Sequence, residues 1–150
     1  MFSGTMISAF CRSRIPRSTI AAYLATEYRI AGNSPLVLRI GQPNQQLAAL
    51  YRGHAVDRAA VLTAWNPYSE PRPDAQNHAA QAQLIAELDH HGLQHEPGHG
   101  ADPTGLWPPE DSRLVLGLDY AIATSLGIRF GQNGFVWAAA DADPTLVLLR

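Results

Sequence analysis

Two short stretches of this sequence gather carboxamides at the ends of apolar runs. Val61-Leu62-Thr63-Ala64-Trp65-Asn66-Pro67-Tyr68-Ser69 ends an apolar run in polar side chains, and Phe130-Gly131-Gln132-Asn133-Gly134-Phe135-Val136-Trp137 starts one with them. Asn and Gln carry both donors and acceptors, which suits the edge of a neutral ligand or a nucleobase. The candidate ligand-binding residues are Asn66, Tyr68, Asn77, Glu110, Gln132 and Asn133, with Ser69 nearby and Trp65 and Trp107 as stacking surfaces. A second reading stays open: Asn and Gln at strand ends commonly tie down loops by bonding backbone groups. Glu110 follows Trp107-Pro108-Pro109 and is the carboxylate best placed for acid–base work if that loop folds over the same edge.

Other chemistries find less support. Four of the six histidines, His90, His91, His95 and His99, cluster near Asp102, and zinc would need three or four of them to converge. Gly92 interrupts the group and no His-Glu-x-x-His spacing occurs, so no metal is expected, and no cofactor. Glycines 98, 100 and 105 do not form a phosphate loop, because no Gly-x-x-x-x-Gly-Lys pattern is present. Cys11 is the only cysteine, which excludes an internal disulfide and fits a reducing, cytoplasmic location.

Positioning these residues requires a sheet. Pro67 cannot donate to a strand ladder and biases Asn66 toward extended backbone, so the central strand, Ala60 to Trp65, must stop there. If the strand from Phe135 to Ala139 runs antiparallel to it, Asn66, Tyr68, Gln132 and Asn133 share one polar edge. Around this pair the sequence predicts a helix from Ser18, capped by a hydroxyl, and a hairpin of Thr26–Ile30 with Leu36–Ile40 across an Ala-Gly-Asn-Ser-Pro turn. Asn44 is expected to cap a helix to about Arg52 that Gly53 ends. Asp74 is expected to cap the longest helix, about Ala75 to His91, with an apolar stripe of Ala79, Ala82, Leu84, Ile85 and Leu88. Leu93 to Pro97 reads as a short edge strand and 98–113 as irregular. Leu114 to Leu118 reads as strand, Asp119 to Leu126 as a capped helix closed by Gly127, and Thr145 to Leu149 as the last strand. Helices and hairpins are mixed, not strictly alternating, so the expected class is α+β: a largely antiparallel or mixed sheet with three to four helices packed on it.

The composition agrees with a globular domain: 46% hydrophobic and 16% charged residues exclude a disordered chain. No apolar run approaches the eighteen or so residues that span a bilayer, so no membrane partner is expected. All eleven basic residues are arginines, and Arg12, Arg14 and Arg17 stand in the acid-free stretch 1–17. The remaining eight face thirteen carboxylates, a balance of −5, which lacks the basic footprint of a nucleic-acid binder. Residues 1–17 are therefore expected to be a disordered basic tail, with an organellar transit peptide as the alternative, and 18–150 a single α+β domain.

Tyr28-Arg29, Leu38-Arg39-Ile40-Gly41-Gln42, Thr63-Ala64-Trp65-Asn66-Pro67-Tyr68-Ser69, Leu114-Val115-Leu116-Gly117, Arg129-Phe130-Gly131-Gln132-Asn133 and Trp137 resemble a bacterial family, domain of unknown function DUF3293. The resemblance runs from about Ala22 to the C-terminus. Asn77 resembles an Asn that the family carries at the start of the long helix, whereas an arginine implied near the next turn is Gln81 here. The family has no assigned activity. Two functions follow from the residues: a module that binds a small molecule or a protein through the Asn/Gln-rich edge, or a small hydrolase- or transferase-type enzyme using Glu110 with Asn66 and Asn133.

Overall fold

The computed structural model describes residues 12–150. Its elements are α1 (Arg17–Ala25), β1 (Glu27–Ile30), β2 (Leu36–Leu38), α2 (Gln45–His54), β3 (Ala59–Leu62), a tight turn at Pro67–Ser69, α3 (Asp74–His90), β4 (Gln94–Ala101), β5 (Glu110–Leu116), α4 (Tyr120–Arg129), β6 (Gly134–Ala138) and β7 (Pro144–Leu148). The strands form one seven-stranded sheet in the order β2-β1-β4-β5-β3-β6-β7. Every neighbouring pair is antiparallel. The α+β class stands, and the sheet is wholly antiparallel.

β3 shows why. Its four residues are all buried, as expected of a strand covered on both faces. Ala59 and Val61 point into one core with Ile20, Leu47, Tyr51, Leu114 and Val136; Ala60 and Leu62 point into the other with Leu84, Leu88, Val115, Ala123 and Phe135. The period of two thus places α1 and α2 on one side of the sheet and α3 and α4 on the other. α2 is capped as the sequence predicts: Asn44 Oδ1 accepts the Leu47 N–H at 2.9 Å. It runs one residue past Gly53 and closes on Ala55 in the left-handed region.

Five expectations change. The stretch from Leu93 is no short edge strand: β4 is eight residues long and lies inside the sheet between β1 and β5. Its glycines read as loop signals, but a Cβ at Gly98 would stand 2.7 Å from the Arg29 carbonyl oxygen, so a bare backbone is what lets β1 approach. β5 likewise begins at Glu110, within the span expected to be irregular. α3 buries Asn77, Gln81, Leu84 and Leu88, while Ala79 and Ala82 of the expected stripe are exposed and Ile85 is half-buried. Its 4-3-4 spacing is helical, but half the buried positions are carboxamides, which hid the face. Asp74 sits in the first turn of α3, not at its cap, and α4 runs through Gly127 to Arg129.

Cys11 and the first eleven residues of the expected tail lie outside the described residues. Residues beyond them pack on the domain: Ile15 is buried in the α1-side core, and Ser13 Oγ donates to the Arg150 carbonyl at 2.6 Å. Among the described residues no helix is long and apolar enough to cross a membrane.

Candidate functional site

A cavity of about 600 Å³ opens between α1 and the sheet face carrying Val61, Val136 and Leu146. α1 supplies Ala22 and Tyr23, the turn after β3 supplies Trp65, Asn66 and Ser69, and the approach to β6 supplies Gln132 and Asn133. The segment before β5 brings Trp107 and Pro108 to the rim, and β5 itself brings Glu110 and Ser112. The antiparallel pairing of β3 with β6 is what delivers both carboxamide stretches to one end of the sheet.

The turn is held under strain. Asn66 (φ 43°), Tyr68 (φ 56°) and Ser69 (φ 58°) all lie in the left-handed region. Asn66 is therefore not extended before Pro67, as the proline alone would favour. Asn tolerates this region; Tyr and Ser persist in it only where neighbours over-determine the backbone. Those neighbours are visible. The Asn66 N–H donates to Asn77 Oδ1 at 2.8 Å, and Asn77 Nδ2 donates back to Asn66 Oδ1 at 2.8 Å. Arg72 Nε also reaches Asn77 Oδ1 at 2.8 Å, and the Arg72 N–H reaches Asn66 Oδ1 at 3.2 Å. Gln81 Oε1 accepts the Ala64 N–H at 2.9 Å. On the other side the Tyr68 N–H donates to the Gly131 carbonyl at 2.8 Å. Gly131 has φ +68°, and a Cβ there would meet Pro67 Cβ at 3.0 Å, so the Phe-Gly-Gln-Asn stretch needs its glycine to dock on the turn.

A second set of bonds fixes α1 to the mouth of the cleft. Asn133 Nδ2 donates to Tyr23 Oη at 3.0 Å and to Ser69 Oγ at 3.3 Å, and the Tyr23 and Ser69 hydroxyls lie in close contact. Arg150 donates to Asn133 Oδ1 at 3.2 Å and holds its guanidinium over the Tyr68 ring, 4.6 Å from the centroid. Gln132 Nε2 donates to the carbonyls of Trp65 and Phe130, both at 3.2 Å. Asn66 and Asn133 thus line one cleft through separate sets of hydrogen bonds.

Glu110 faces the cavity with little engagement. It is half-buried, and among the described residues its one hydrogen bond comes from Asn66 Nδ2, 3.0 Å from Oε1. Burial pushes its carboxyl above the usual range, against a lowering from that bond. Ser112, two residues on, is buried, and its hydroxyl reaches no hydrogen-bond partner among the described residues. Behind them Tyr28, whose hydroxyl donates to the Tyr23 carbonyl at 3.2 Å, is held protonated by burial. Asp102 accepts from the Thr104 and Leu106 N–H groups, both at 2.9 Å, and so shapes the loop that carries Trp107 to the rim.

Of the six candidate residues, Asn66, Glu110, Gln132 and Asn133 line the cleft. Tyr68 does not: its half-exposed ring packs under Arg150. Asn77 is 1% exposed and acts from behind, holding Asn66. Sequence reasoning missed Tyr23, Arg72 and Ser112. The alternation Glu110, Ser112, Leu114, Leu116 along β5 was the available signal for Ser112. The histidines do not gather: His95 Nε2 pairs with Asp89 Oδ1 at 2.6 Å, and His90 packs edge-on against His91. Among the described residues no three His, Cys, Asp or Glu side chains converge as metal ligands would.

No curated protein and no solved structure matches this chain. Residues 62–134 match the model of a family described as Protein of unknown function (DUF3293). That span runs from the end of β3 to the start of β6 and contains Asn66, Asn77, Glu110, Ser112, Gln132 and Asn133. The stretch that builds most of the cleft is thus the stretch over which this chain is similar to that family.

Proposed function

We propose that the protein is a small-molecule-binding module whose site is the cleft between α1 and the sheet. The observation that carries this reading is a cavity of about 600 Å³ with two polar groups, Glu110 and Ser112, that the fold leaves largely unused. Ligand pockets are typically about 300–1,000 Å³, mostly apolar, with a few convergent polar groups. Here Trp65, Pro71, Trp107, Pro108, Val61 and Val136 supply apolar wall. The carboxamides act chiefly as the frame. Asn77 and Gln132 bond the backbone of the turn, and Asn133 is committed to Tyr23, Ser69 and Arg150.

That division also weighs on the enzymatic reading. A hydrolase- or transferase-type mechanism would use Glu110 as acid or base, and its raised proton affinity beside an orienting Asn66 suits that role. Asn133, however, has its donors and acceptor engaged elsewhere and is not available as a polarising group. Binding is the reading with more support.

A fragment library screened by ligand-observed NMR tests it. Fragments should bind the wild-type protein in the high-micromolar to millimolar range and lose binding to Ala22→Phe, which places a ring in the cleft from α1. Wild-type melting behaviour in that variant confirms that the fold is kept. A screen without hits, or hits indifferent to Ala22→Phe, would refute the cleft as a site.

A further inference from the structure

We infer that the ligand is an organic cation: an amine, amidine or guanidine group on a flat apolar body, with a second polar group directed at Ser112. This rests on the binding reading above and adds to it a charge and a spacing.

Charge comes first. Among the described residues that line the cleft, Glu110 is the only one that carries a formal charge. No arginine among the described residues lines it, although the chain has eleven. Two that bond residues of its frame are engaged there: Arg72 bonds Asn77 Oδ1 and the Ala64 carbonyl, and Arg150 bonds Asn133 and covers Tyr68. An anionic ligand would meet a half-buried carboxylate with no compensating cation. A protonated nitrogen would meet its counter-charge in a partly desolvated site, where charge-assisted hydrogen bonds are about twice as strong as neutral ones. Because Asn66 Nδ2 holds Oε1, the carboxylate is oriented in advance and Oε2 is left for the ligand.

The walls agree. Trp65 and Trp107 border the same cavity, with Tyr23 and Tyr28. Aromatic rings favour cations over their faces and offer large flat contact to an apolar body. Spacing follows from β5. Glu110 and Ser112 are alternate residues of one strand, so they share a face and stand roughly 7 Å apart along it. Ser112 Oγ is 94% buried by residue and has no partner among the described residues, so a ligand group able to donate or accept would complete it.

The test uses matched probes that differ in charge: benzamidine, benzamide and benzoate, and tryptamine with indole-3-acetamide and indole-3-acetate. Each is titrated by ligand-observed NMR against wild-type protein, Glu110→Gln and Ala22→Phe. Gln at 110 keeps an oxygen for Asn66 Nδ2, so the turn stays held. In wild type the cations should bind at least about tenfold tighter than the amides, with the acids weakest. Glu110→Gln should abolish that preference while the amides keep their affinity, and Ala22→Phe should weaken all of them. Equal binding across charges, a preference for the acids, or a cation preference that survives Glu110→Gln would each overturn the inference while leaving a binding cleft. Silence from every probe and from the fragment library in wild type would instead remove the binding reading on which it stands.

Discussion

Glu110 sits between two opposing influences: partial burial favours its neutral form, and the Asn66 hydrogen bond favours its charged one, with burial the larger. A carboxyl raised in the folded state keeps its proton to a higher pH than it does in the unfolded chain. Folded protein therefore binds more protons in the window from the ordinary carboxylate range up to the raised value, and stability falls as pH rises through that window. Glu110→Gln removes this dependence. Thermal unfolding at pH 4.5 and pH 8 should show the variant gaining on wild type as pH rises, the signature of a carboxyl whose burial costs stability in its charged form. A variant destabilised equally at both pH values would mean that Glu110 is a structural anchor. At this scale the sequence was only partly legible. Glu110 could be singled out because a Trp-Pro-Pro loop precedes it, and Asn66 because it ends an apolar run. Tyr68 sat in the same motif, but the left-handed backbone of the turn aims its ring at Arg150, away from the cleft, and no residue pattern announces a backbone of that kind.

Among the elements, α3 is bound to the turn by carboxamides as much as by leucines. Asn77 and Gln81 share its buried face with Leu84 and Leu88, and both bond backbone groups between Ala64 and Asn66. Asn66→Ala and Asn77→Ala should each lose about 1–3 kcal/mol in denaturant unfolding, because each leaves buried partners unsatisfied. Since the two side chains bond each other, the double variant should lose clearly less than the sum. Asn66 with Asn133 should instead come out near additive, because their side chains share no partner. Coupling of that second pair as strong as the first would show one network where two are described. This arrangement explains what the sequence hid. An apolar stripe is legible when leucines and alanines fill it; here the exposed alanines imitated it and polar residues occupied it. β4 was obscured the same way, since the Pro and Gly residues that permit its close pairing with β1 are also the usual marks of a loop. β3 was legible because continuous burial leaves a continuous apolar run, and β6 because Phe135 to Ala138 are all apolar.

Across the whole molecule, antiparallel pairing sets the exit of one strand beside the entries of its neighbours, and the cleft lies at the end where β3 exits and β5 and β6 enter. The β3–β6 and β3–β5 pairings bring positions 66, 110 and 133 together although they are distant in sequence, and α1 closes over them through Tyr23. The antiparallel expectation was enough to unite the two carboxamide stretches. The lid formed by α1 was not legible, because the side chain that bonds it to Asn133 and Ser69 is a tyrosine on a helix with little amphipathic pattern. The family stretch, residues 62–134, covers the framework of the cleft and stops short of α1. The most direct test of the cleft as the ligand site is an assigned amide correlation spectrum recorded during titration with the tightest fragment from the screen. The amides of Tyr23, Trp65, Glu110, Ser112, Gln132 and Asn133 should shift together and saturate with one affinity. Shifts confined to the α3–α4 side, around Leu88 and Ala123, or to the hollow beside Ala55 and Arg58, would contradict the account.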